Sequence, residues 1–145
     1  MKHGLVMVMS TMVVLTASAN AQAQGQGRGG APACTTVQCD VLGDWGRGYA
    51  LLIGVAEAMP EDKFGFKPTP AQESFAQRLM HVAGIDLKLV STLGGKTPPP
   101  MVNVQATSKA DVVAALRQVN DFGAAVLKEF NDQQLAERVA SLPFR

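Results

Sequence analysis

Most of the motifs that identify a catalytic chemistry are missing from this chain. It has no G-x-S-x-G nucleophile elbow, no C-x-x-C redox pair and no C-x-x-C-H haem-attachment motif. The glycine-rich stretch at residues 25–30 precedes neither a predicted strand nor a G-K-[ST] sequence, so it does not resemble a phosphate-binding loop. The sequence therefore gives no support to serine hydrolysis, thioredoxin-like redox chemistry or nucleotide binding.

An excess of charge of one sign is also missing. The chain has 13 lysines and arginines against 12 acidic residues, for a net charge of +1, and the charges are well mixed. No basic surface is expected, which argues against a nucleic-acid partner. Aromatic residues make up only 6% of the chain, whereas hydrophobic residues make up 47%. This composition favours one helical domain with an aliphatic core.

No apolar run is long enough to span a bilayer. The run at residues 4–16 follows Lys2 and His3, and it precedes small residues that offer cleavage sites near Ala21 or Ala23. This pattern predicts a signal peptide at residues 1–23, export to the periplasm or the extracellular space, and no stable membrane anchor after cleavage. An uncleaved anchor is the alternative.

Residues 24–39 are predicted to form a disordered leader, because the stretch is dominated by glutamine, glycine and alanine up to residue 33. The leader contains both cysteines of the chain, Cys34 and Cys39. The sequence leaves open whether they form a disulfide. Since a bridge between them closes only a short loop, it would act as a local constraint.

The helical domain is predicted at residues 40–145, with three main helices at about 41–59, 74–94 and 108–131. The first helix has an apolar face with spacing near 3.6 residues, formed by Trp45, Tyr49, Leu52, Ala56 and Met59. Three glycines weaken this helix, and close helix packing is expected to compensate for them: Gly46, Gly48 and Gly54.

The second and third helices carry clear start signals. Ser74 and Gln77 form a capping box, and prolines in the preceding link exclude regular structure there. Ser108 is the expected N-cap of the third helix, with Asp111 three residues on. Residues 94–95, both glycine, end the second helix, and residues 97–107 form a crossover loop. Asp86 falls within the apolar stripe of the second helix, where it either bonds a neighbouring helix or faces solvent.

Four segments in fixed order resemble the DinB-like superfamily of helical-bundle, metal-dependent proteins, and its exported branch most closely. They are AEAMPEDK at residues 56–63, FKPTP at residues 66–70, SFAQ at residues 74–77 and HVA at residues 81–83. The resemblance extends over about residues 44–132. It implies an all-α, up-down four-helix bundle.

The resemblance also implies a divalent metal ion, zinc or nickel, at one end of the bundle. His81 matches the ligand on the second helix, and two further histidines with H-x-x-x-H spacing are expected on a fourth helix. No histidine follows His81, and only a weakly amphipathic turn or two is expected after Asn131, at about residues 135–142. The C-terminus is therefore predicted to be truncated and the metal site incomplete.

The remaining candidates are weaker. Four carboxylates are available as additional ligands: Asp44, Glu57, Asp86 and Asp121. Asp86 and His81 are five residues apart, so their side chains diverge by about 140° and cannot easily chelate one ion. No catalytic residue can be assigned.

Two classes of function stay open. The first is a metal-dependent enzyme of hydrolase or thiol-transferase type. The second is a non-enzymatic binding or self-association module, which would form a homodimer through the apolar helix face that a missing fourth helix leaves open. A truncated gene product without function is the third alternative.

Overall fold

The computed structural model describes residues 34–140, and the side chains up to Glu137. This part of the chain contains helices and no strand, which confirms the all-α prediction. The three main helices are α1 (Val37–Ala58), α2 (Phe75–Thr92) and α3 (Lys109–Lys128). A single 3-10 turn follows α1, and a short helix α4 (Asp132–Ala140) follows α3. The predicted signal peptide at residues 1–23 and most of the predicted leader lie outside the described residues.

Helix α1 begins at Val37, about four residues before the predicted start, so the boundary of the leader at residue 39 needs correction. Two caps account for the earlier start. The Thr36 hydroxyl accepts a hydrogen bond from the Cys39 amide at 3.1 Å. The Asp132 carboxylate accepts from the amides of Val37 and Gln38 at 3.1 and 2.9 Å. Together they satisfy amides that the first turn of a helix leaves without partners.

Helix α2 begins as its capping residues predict. The Ser74 hydroxyl accepts from the Gln77 amide at 3.2 Å, and the Gln77 side chain accepts from the Ser74 amide at 2.8 Å. The preceding link packs onto this start, because Phe64 is buried and contacts Phe75 edge to face, with 5.2 Å between ring centroids. Gly94 follows the helix with φ 72°, the left-handed conformation that glycine adopts most readily.

Helix α3 packs against both other long helices, and it is antiparallel to α1. Gln38, at the start of α1, donates to the carbonyls of Leu127 and Phe130 at the end of α3. Lys109, at the start of α3, donates to the carbonyls of Glu57 and Met59 at the end of α1, at 2.7 and 2.9 Å. Both ends of the pair are therefore tied by hydrogen bonds.

Helices α2 and α3 run parallel, so the chain must return along α2 before α3 begins. Glu129 fixes the start of this crossover, since its carboxylate accepts from the Lys96 and Thr97 amides at 2.5 and 2.9 Å and from the Thr97 hydroxyl at 2.6 Å. These hydrogen bonds, the one from the Thr97 side chain foremost, hold the pKa of Glu129 below its usual value.

The core lies on both sides of α3, and α1 packs tightly against α3 at Gly123. A Cβ atom there would lie 2.1 Å from Cζ2 of Trp45, so only glycine allows the indole of α1 to rest on α3. The indole nitrogen also donates to the Asn120 carbonyl at 3.0 Å. The fully buried side chains around this contact and along the bundle include Phe64, Met80, Leu116, Val112, Val119 and Val126.

The expected role of the α1 glycines is wrong. Apart from the backbone of α1 itself, no atom of the described chain would lie within 4 Å of a Cβ added at Gly46, Gly48 or Gly54, so these glycines make no close contact with another helix of the described bundle. The glycine that permits close packing is in α3 instead.

A short fourth helix is present where the sequence predicts only a turn or two. Asn131 caps it, since its side chain accepts from the Gln134 amide at 2.9 Å while the Gln134 side chain accepts from the Asn131 amide at 3.0 Å. Leu135 is buried against the end of the core. Helix α4 therefore begins between the start of α1 and the end of α3.

Candidate functional site

His81 lies on a flank of α2 that faces the crossover loop, and its side chain is 51% exposed. It lines an open cleft of about 380 Å³ between α2 and that loop. The cleft mixes polar and apolar side chains: Glu73, Gln77, Met80, Ile85, Lys88, Val104 and Gln105. The predicted ligand thus has access to solvent and to other polar groups.

Glu73 is the acidic partner of His81. Its Oε1 lies 3.7 Å from the imidazole Nδ1. Its Oε2 is buried and has no hydrogen-bond partner among the described residues, although the Arg78 guanidinium lies 3.3 Å away. The site therefore presents one imidazole and one carboxylate, and the Oε2 of that carboxylate is ion-paired with Arg78.

Glu73 is not among the predicted ligands, because it precedes the N-cap of α2 and belongs to the link. A spacing signal was nevertheless available. Residues 73, 77 and 81 recur every four positions, which places them on one flank when the helical geometry extends back through the capping residue.

Asp86 lies on the opposite flank of α2 and takes no part in this site. It accepts a hydrogen bond from the Tyr49 hydroxyl at 2.9 Å, which joins α2 to α1. Tyr49 is buried, and burial, together with the adjacent Asp86 carboxylate, raises the pKa of its phenol well above the usual value of 10.0. Of the two roles open to Asp86, the bond to a neighbouring helix is the one observed.

The structure does not bring the other candidate carboxylates to His81. Asp44 pairs with Arg47 on α1, and Glu57 pairs with Arg117 at 2.6 Å. Asp121 is exposed on α3. Within residues 34–140, no group of three or more histidine, cysteine, aspartate or glutamate side chains is placed to hold a metal ion.

The two cysteines form a disulfide, with Cα atoms 5.4 Å apart. The bridge joins the residues just before α1 to its first turn, so it is the local constraint that the spacing predicts. Both thiols are consumed, which leaves no cysteine of the described chain for a Cys–His pair with His81.

Comparisons with known proteins agree with the helical architecture. The family model of the DinB superfamily matches residues 45–145, which is more than half of the chain. The match includes α2 with His81, the crossover loop and α3. No curated protein and no solved structure matches the chain. The chain belongs to the DinB superfamily.

Proposed function

We propose that this protein is an exported member of the superfamily that binds a divalent metal ion, zinc or nickel, between His81 and Glu73. The pair of donors carries the proposal: the imidazole and the carboxylate lie 3.7 Å apart and face the same open cleft.

The donor types suit the ion, but their number is small. Zinc accepts imidazole nitrogen and carboxylate oxygen, and its catalytic sites normally have three protein ligands and one open position. His81 and Glu73 supply two, so water or substrate would fill the rest. Arg78 beside Glu73 competes with the ion for the carboxylate. We therefore expect weak, exchangeable binding.

The residues around the pair set what such a site could do. A bound ion would act as a Lewis acid and lower the pKa of a bound water or thiol, as hydrolase-type or thiol-transferase-type chemistry requires. Gln77 and Gln105 line the same cleft and supply amide groups that can orient a polar substrate. Lys88 adds a positive charge to the cleft, which favours an anionic substrate.

Titration with zinc and nickel tests the metal site directly. The mature protein, residues 24–145, has His81 as its only histidine, so the imidazole signals of a proton NMR spectrum report on one ring. We expect these signals to shift on addition of either ion. His81→Ala and Glu73→Gln should each weaken binding, measured by calorimetry, by at least about tenfold.

Glu57→Gln is the matched control, because it also removes one carboxylate of a surface ion pair but lies outside the cleft. Its affinity for metal should equal that of the parent protein. If the imidazole signals do not move at micromolar zinc or nickel, or if all three variants bind alike, the metal-site proposal fails.

Export is tested separately by the fate of the N-terminus. Two features support it: the signal-peptide pattern at residues 1–23 and the Cys34–Cys39 disulfide, a bond that persists in oxidising compartments. Expressed in a bacterium with a periplasm, the chain should be recovered outside the cytoplasm with its new N-terminus just after Ala21 or Ala23, as read by mass spectrometry. Full-length chain in the cytoplasmic fraction would contradict export.

A further inference from the structure

Helix α1 carries an apolar stripe that the other described residues leave exposed. It lies on a flank beside the core face and follows the four-three spacing of a helix–helix contact: Val37, Val41, Asp44, Gly48, Leu51 and Val55. Leu51 is 72% exposed, and Val37, Val55 and Val41 are 56%, 54% and 38% exposed. None of the helices described at residues 34–140 is both long and apolar enough to cross a membrane.

We propose that this stripe binds the same stripe of a second copy, with the two α1 helices antiparallel across a two-fold axis. The six positions are separated by four, three, four, three and four residues, so their spacing is the same from either end of the helix. A two-fold axis level with residue 46 therefore sets Val37 against the partner's Val55, and Val41 against the partner's Leu51. An isologous contact needs this self-complementarity, and a stripe that pairs with an unrelated protein does not.

The polar centre of the stripe fits the same register. Asp44 of one copy comes level with the partner's Gly48, where no atom of the described chain would lie within 4 Å of an added Cβ. The two backbones can thus approach, and the carboxylate has room. Arg47 comes level with the partner's residue 45, one position from the partner's Asp44. Each copy already pairs Asp44 with Arg47, so two such ion pairs, one from each copy, would lie near the two-fold axis and their charges would cancel.

The extent of the contact sets its strength. The stripe spans 19 positions, about 27 Å of helix. One helix pair of this length buries less than the roughly 800 Å² per partner of a typical stable interface. The dimer is therefore weak and depends on concentration, and it is independent of the metal site on α2.

Sedimentation of the mature protein over a range of concentrations tests the contact. The parent should pass from monomer to dimer, whereas Leu51→Glu and Val55→Lys should each stay monomeric at concentrations where the parent is dimeric. Both side chains are exposed, so circular dichroism should show unchanged helix content. Val104→Glu is the control, since it alters an exposed apolar residue of the crossover loop and should leave the dimer intact.

The register has its own test. Val41→Cys and Leu51→Cys proteins, with the native disulfide kept, are mixed and oxidised. Disulfide-linked dimers should form mainly between the two different variants. Linkage within each variant alone would overturn the antiparallel arrangement. A parent that is monomeric at every concentration would overturn the proposal as a whole, and this is also the result expected if another protein occupies the stripe. A dimer that Leu51→Glu does not weaken would overturn it as well.

Discussion

Gly123→Ala is expected to destabilise the bundle by about 3 kcal/mol, the upper range for overpacking a core. The added methyl group would lie 2.1 Å from Cζ2 and 2.4 Å from Cε2 of Trp45, so the indole must leave its place or α1 must move away from α3. Either change also breaks the hydrogen bond to the Asn120 carbonyl. Urea unfolding followed by circular dichroism measures the loss, and Trp45, the only tryptophan, reports the displacement by its fluorescence.

Gly54→Ala provides the matched control, because it makes the same substitution in the interior of α1 at a position that faces open space. Alanine is the better helix former, so this variant should gain up to about 1 kcal/mol. A Gly123→Ala protein as stable as the parent, with unchanged tryptophan emission, would show that the two helices do not meet at this glycine.

Tyr49→Phe is expected to lower the free energy of unfolding by about 1–3 kcal/mol, although the change removes a single oxygen. The hydroxyl is the donor to Asp86, and without it a half-buried carboxylate loses its hydrogen bond while α1 and α2 lose the bond that joins them. Denaturant unfolding measures the effect. In a double-mutant cycle with Asp86→Asn, the two changes should be non-additive.

Alkaline pH offers a second readout of the same contact. The pKa of Tyr49 is raised in the folded protein, so its contribution to stability is complete below its ordinary value of 10.0 and is lost as the pH rises further. Tyr49 is the only tyrosine, so phenolate absorbance reports its ionisation alone. If the phenol ionises near pH 10 in the folded protein, the buried bond to Asp86 is absent.

Elements whose signals are local were predictable from the sequence. Ser74 with Gln77 and Ser108 with Asp111 mark the starts of α2 and α3 within a few residues of chain, and the structure begins both helices there. The predicted start of α1 is late because Thr36, a local capping residue, is not recognised as its N-cap, and because its second cap, Asp132, is 95 positions away. Glycine packing was assigned to the wrong helix for the same reason, since the partner of Trp45 is known only once α1 and α3 are placed together.

In the candidate site, too, the features set by local helix geometry were predictable and those that depend on another segment were not. The expectation that His81 and Asp86 point apart follows from helix geometry alone, and the two lie on opposite flanks of α2. The hydrogen-bond partner of Asp86 could not be predicted from the sequence, because Tyr49 belongs to another helix. Glu73 was missed because it stands outside the helical repeat, on a link whose path depends on Phe64 packing into the core.

The capping of α1 by Asp132 has a consequence for the order in which the molecule matures. On the ribosome, the first turn of α1 emerges some ninety-five residues ahead of the carboxylate that completes it. Until then its leading amides have only the Thr36 cap and solvent, and this end of the bundle lacks its native hydrogen bonds. A nascent chain of this design keeps that end of the bundle open until Asp132 has been synthesised.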